Sequence, residues 1–121
     1  MDTSPAPGRT FVAPGVLITV AKLAALSVPG VVRMSPIPGG VNRLFRRGWA
    51  EGVRLETEGE TVSADLFIVV AHGGNVQDVA REVQREVARA IREMIGLEVG
   101  RLDVHLEDIE FTDAKGATAT R

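Results

Sequence analysis

The sequence predicts an α+β domain, a two-layer sandwich with two helices packed on one face of a mainly antiparallel sheet, in a ferredoxin-like or KH-like order. Three observations lead there. Residues 61–71 alternate, with Val62, Ala64, Leu66, Ile68 and Val70 on one side and Ser63, Asp65, Phe67, Val69 and Ala71 on the other, as a strand requires. Directly after them, Val76, Val79, Ala80, Val83, Val87, Ala90, Ile91 and Met94 recur at threes and fours, which makes a helical stripe. A second apolar run, Val16 to Leu26, follows a proline suited to the first turn of a helix.

Taken in chain order, Met1 to Arg9 reads as a loose tail and Arg9 to Val12 as a short strand. Pro14 opens a helix through Leu26 or Ser27, with Val16, Leu17, Val20, Leu23, Ala24 and Leu26 toward the core. Pro29 and Gly30 stop it, and Val31, Val32 and Met34 begin an extended segment. Pro36, Pro38, Gly39 and Gly40 form a loop, and Val41 to Arg47 a short helix. Gly52 to Thr57 is a strand that turns at Glu58, Gly59 and Glu60 into the alternating run. His72, Gly73 and Gly74 break that run, Asn75 caps the next helix, and Gly96 ends it. Leu102, Val104 and Leu106 alternate with Arg101, Asp103, His105 and Glu107, a strand with one wet face. Residues 112–121 are small and polar, a second tail, so that one folded domain spans residues 10–111.

Composition narrows the chemistry. A single domain of 121 residues buries about two thirds of its unfolded surface and needs no staple. The absence of cysteine excludes thiol catalysis, disulfides and cysteine-ligated metal. A net charge of -2 gives no global attraction to nucleic acid or anionic lipid, and the few aromatic residues offer little for bases to stack on. No signal peptide and no span long enough to cross a bilayer is visible, so direct membrane insertion is not expected.

Candidate sites are few. Ser4, Ser27, Ser35 and Ser63 lie outside any nucleophile-elbow pattern and the chain has no tyrosine, so no catalytic residues are assigned and no enzyme is expected. Asp103, His105 and Glu107 share a strand face, but alternate residues stand roughly 6.5–7 Å apart and a solvated face is the simpler reading. Gly73-Gly74-Asn75 could cradle a phosphate, yet lacks a nearby basic residue and reads first as a turn. No metal or cofactor is therefore expected. Arg81, Arg85 and Arg89 are interleaved with Asp78, Glu82, Glu86 and Glu93, a self-neutralised helix face.

Arg43, Arg46, Arg47 and Arg54 are less compensated and suit an anion or a partner. Two helices cover only one face of a sheet. Phe67 and Val69 then point to the open face, with Trp49 and Phe45 near enough to fold over them. Phe67, Val69, Arg43, Arg46, Arg47 and Trp49 make up the expected partner interface, with Phe67 as its anchor, and self-association is the expected outcome.

Four blocks carry a family resemblance: Val12 to Val31, Val62 to Val70, Asn75 to Val87, and Gly96 to Val99 together with Val104 to Ile109. Together they resemble the bacterial alkaline shock protein family of envelope-stress proteins. The resemblance implies a non-enzymatic cytoplasmic protein of cell-envelope homeostasis and stress response that acts through protein association. It also implies a peripheral place at the inner face of the membrane through a membrane-associated protein partner. The Pro36 to Ala50 loop departs most from the family pattern. The alternatives are a small-ligand-sensing domain, which needs a polar-lined pocket, and a KH-like nucleic-acid module, which needs a basic Gly-x-x-Gly loop that Gly39-Gly40 only poorly imitates.

Overall fold

The structure is a computed structural model that describes residues 11–38 and 49–111. Both expected tails, the expected helix at Val41 to Arg47, and Arg43, Phe45, Arg46 and Arg47 with it, lie outside the described residues, as does the first half of the expected strand at Arg9 to Val12. Phe11 and Val12 are in irregular chain.

In chain order the elements are α1 (Pro14–Leu26), β1 (Val31–Met34), β2 (Trp49–Ala50), β3 (Val53–Glu58), β4 (Thr61–Ala71), α2 (Val76–Ala90), a π-helical turn (Ile91–Ile95) and β5 (Glu98–Glu110). They form the expected α+β class, with both helices on one sheet face. Three of the four strand pairings are antiparallel. The fourth, β4 with β5, is parallel and runs the length of both strands. Parallel neighbours need a crossover, and α2 supplies it.

β4 is central because its sequence is apolar on both sides after Asp65. β5 takes one of its edges. The other is shared end to end, with β3 pairing Thr61 to Leu66 and β1 pairing Ile68 to Val70. Phe67 stands at that junction, where its amide donates to the Gly52 carbonyl at 2.9 Å and its carbonyl accepts from the Ser35 amide at 2.7 Å. Gly52 has a φ of +83°, and a Cβ there would lie 2.8 Å from both the Met34 Cβ and the Ser35 carbonyl oxygen. Only glycine fits so tight a seam.

The core lies between β4 and the helices: Val62, Ala64, Leu66, Ile68 and Val70 meet Leu17, Ile18, Ala21 and Ala25 of α1 and Val83 and Val87 of α2. The expected core face of α1 needs correction. Ile18, Ala21 and Ala25 are buried, whereas Val16 is exposed and Leu23 is 60% exposed. α1 is apolar nearly all round, so its periodicity does not select a face. α2 follows its stripe until the π turn, where the Gly96 amide bonds the Ile91 carbonyl at 3.0 Å, a five-residue step. The extra residue rotates Met94 outward to 72% exposure and brings Ile95 toward the core in its place.

Asn75 caps α2 as expected, its side-chain oxygen accepting from the Gln77 and Asp78 amides at 2.9 and 3.2 Å. Asn75→Ala should cost about 1 kcal/mol in denaturant unfolding, the usual worth of such a cap, and Asn75→Ser should recover most of it.

A buried carboxylate under an open sheet face

On the sheet face away from the helices, neighbouring strands bring together Arg54 of β3, Ser63, Asp65 and Phe67 of β4, and Arg101, Asp103 and His105 of β5. Asp65 is the only buried charged residue among those described, with 7% of its side chain exposed. A carboxylate there needs several donors, and it has them. Arg54 Nε donates to Oδ2 at 3.1 Å, Arg101 donates to Oδ1 at 3.2 Å, and His105 Nε2 lies 2.9 Å from Oδ1. Burial pushes the Asp65 pKa up, but the hydrogen bonds from His105, Arg54 and Arg101, with the charge of Arg54, outweigh it and hold the carboxyl at about 2.

Asp103 sits directly across from Asp65 in the β4–β5 register, an acid beside an acid. Arg101 resolves the repulsion by bridging both, with 2.6 Å to Asp103, and it reaches Glu56 at 3.6 Å. Its own pKa is raised, by Asp103 first and then by Asp65. The Arg101 backbone amide donates to Ser63 Oγ at 3.0 Å, where the β4–β5 register shifts. Gly100 allows the approach, since a Cβ there would lie 2.7 Å from that oxygen.

Phe67 and Val69 do lie on this face, as alternation required, but they are 3% and 2% exposed and form no open apolar patch. His105 stacks on Phe67 with ring centroids 4.4 Å apart, and the Arg54 guanidinium lies 5.5 Å from the centroid of that ring. Polar side chains of flanking strands thus roof the aromatic ring. Trp49 lies in β2 opposite Arg54.

The other candidates separate. Asp103 is held by Arg101 and His105 by Asp65, and no group of three His, Asp or Glu able to hold an ion occurs among the described residues. His72 packs on Phe111 instead, with centroids at 4.4 Å. At Gly73-Gly74-Asn75 the helix amides are taken by the Asn75 side chain, the place an anion would need. Arg81, Arg85 and Arg89 pair with Asp78, Glu82 and Glu86 on the same helix, Arg89 also with Glu93. Sequence reading missed Asp65, whose signal was an acid on an otherwise apolar strand. It also missed a groove of about 750 Å³ beside β1, lined by Leu26, Val32, Met34 and Ile37, with the Lys22–Glu51 ion pair on its wall.

The fold and this face define a small single-sheet α+β domain whose distinctive surface is a charged, strand-built face. The chain belongs to the alkaline shock protein family: the family model, described as having a cell envelope-related function, matches residues 3–111. Among similar proteins, the uncharacterised YloU of Bacillus subtilis (strain 168) is 28% identical over 110 residues, covering 88% of this chain and 92% of YloU. YqhY of the same organism is 27% identical over 106 residues, covering 86% and 78%. A Streptococcus pyogenes protein, Spy1535, is 26% identical over 105 residues, covering 84% and 79%. Among solved structures, a MamM CTD is similar in fold, with a TM-score of 0.54 and 22% identity over 78% of this chain and 94% of that one. No helix among the described residues is long and apolar enough to cross a membrane.

Proposed function

We propose that this protein serves its cell envelope-related function without catalysis, by binding protein through the open sheet face, in the cytoplasm and at the inner side of the membrane through a partner. The observation that carries this reading is the way the face is built. The buried carboxylate of Asp65 anchors Arg101, which pairs in turn with the exposed Asp103 and Glu56, while the buried Phe67 ring carries His105 and Arg54 beside them. A display ordered in advance loses little entropy on binding. Charge arranged this way chooses partners by complementarity. Phe67 and Val69 act beneath that surface, and the sequence assigns Arg43, Arg46, Arg47 and Trp49 to the same partner interface.

Fractionating cells that express the native chain or Glu56→Arg with Asp103→Arg tests the reading. Both altered residues are exposed, so melting temperature should stay within about 5 °C. The native chain should co-fractionate with the envelope and the reversed variant should not. Equal envelope association of the two sinks the proposal. The groove beside β1 favours a second reading, a small apolar ligand, since its volume lies in the usual ligand range.

A further inference from the structure

β5 is an edge strand: β4 pairs along one side of it, and no strand among the described residues pairs along the other. Its 13 residues make a long template for another strand. Leu102, Val104 and Leu106 pack against the core yet stay only partly buried, and Ile109 is 43% exposed.

The residues of this edge follow a twofold pattern centred on Val104. The β4–β5 register shifts twice, once between Val99 and Leu102 and once between Leu106 and Asp108. Because of those two shifts, the residues opposite the core positions of β4 are Val99, Leu102, Val104, Leu106 and Ile109, a spacing that reads the same from either end. Asp103 and His105 flank Val104 on the other face, and beyond them stand Arg101 and Glu107.

We propose that a second copy of this chain pairs antiparallel along the outer edge of β5, with a twofold axis at Val104, joining two sheets into one. The inference rests on the protein-association reading above and adds to the open face a second surface, the β5 edge, for self-pairing. The twofold sets Leu102 against Leu106, Val99 against Ile109, Asp103 against His105 and Arg101 against Glu107. In these pairs apolar residues meet apolar ones, Asp103 and Glu107 each meet a base, and the two irregularities fall opposite each other, so the faces remain in phase. Slipping the register one way by a residue pair sets Asp103 against Glu107. Slipping it the other way sets Asp103 against Asp103 and Arg101 against His105. At the ends Glu98 meets Glu110, whose charge Arg33 already balances. Of these three registers, the one centred on Val104 alone avoids like charges along the centre, and the same patch serves both copies, as a twofold interface demands.

The native chain has no cysteine, which makes cross-linking clean. Residues facing each other across antiparallel strands have Cα atoms about 4.5–5.5 Å apart, within disulfide reach. Mild oxidation should convert Val104→Cys to a covalent dimer, while Leu102→Cys alone links about tenfold more slowly or not at all, because its mate is Leu106. Mixed Leu102→Cys and Leu106→Cys chains should link to each other. In sedimentation without cross-linking, the native chain should dimerise and Glu107→Arg should weaken the dimer about tenfold or more, since it sets arginine against arginine twice. Glu107 is exposed and makes no ion pair or hydrogen bond among the described residues, so this variant should fold normally. Equal linking of Leu102→Cys and Val104→Cys overturns the register. A dimer indifferent to Glu107→Arg that gives no Val104→Cys link overturns the edge but leaves association through another surface standing. A monomer at about 100 μM overturns self-pairing and leaves the envelope fractionation to decide the broader reading.

Discussion

Phe67→Ala should lower stability by about 3–5 kcal/mol in denaturant unfolding, the range for removing a buried phenylalanine. The residue is 3% exposed, and its ring carries the His105 stack and lies beneath the Arg54 guanidinium. Its backbone also joins the end of β1 to the start of β3, so a cavity here loosens the seam where three strands meet. In a domain of this size the loss corresponds to a fall in melting temperature of roughly 10–25 °C. Phe67→Leu fills most of the space and should cost about 1.5 kcal/mol or less. The two substitutions separate a core role from an anchor role. An exposed anchor loses association and keeps stability; a buried ring loses stability first. A Phe67→Ala protein within about 1 kcal/mol of native would show that the ring is not a packing element.

What the sequence showed and what it concealed follow from the physics of each segment. β4 was readable because one side of it stays apolar along all eleven residues, and α2 because its polar face is strongly charged, which leaves one stripe to bury. α1 has no such contrast, so its length was legible and its buried face was not. The parallel partnership of β4 and β5 was hidden because pairing is a non-local choice. Only the crossover helix between them hinted at it. The π turn escaped because it shifts the phase by one residue without changing composition.

The open face divides the same way. Alternation placed Phe67 and Val69 on it correctly, but exposure depends on what flanking strands contribute. Arg54 and His105, distant in sequence, are what roof the ring. Alternation put Asp65 on the same side as Phe67 and gave it no role. The structure makes it the buried centre of a network drawing on three strands, because its neighbours in register are Arg54 and Asp103 and the bulge at Gly100 brings Arg101 alongside.

Asp65→Asn should cost roughly 2 kcal/mol at neutral pH, and the cost should disappear in acid. The side chain keeps its shape but loses the charge that three donors share, leaving Arg54 and Arg101 with a neutral acceptor. The size follows from linkage: a carboxyl held at about 2 instead of its ordinary 3.8 contributes roughly 2 kcal/mol wherever it is ionised in both states. The sign is fixed by the direction of the shift. A lowered folded pKa gives stability that is fully present above the unfolded value near 3.8 and is lost as pH falls through about 2. Acid unfolding of the native protein draws on all of its ionisable groups together, so the native curve alone does not isolate Asp65. The difference between native and Asp65→Asn curves does, because the other groups cancel. Denaturant unfolding of both proteins from pH 7 to pH 2 should give a constant gap above about pH 5 that closes below about pH 3. A gap that persists unchanged to pH 2 would mean that asparagine fails through shape and hydrogen bonding, with the charge of Asp65 contributing nothing. Arg101→Ala gives an independent check. It removes one of the donors that hold the Asp65 carboxyl down and frees Asp103 to repel it, so the acid-dependent gap between Arg101→Ala and its Asp65→Asn double variant should shrink relative to the gap in the native background.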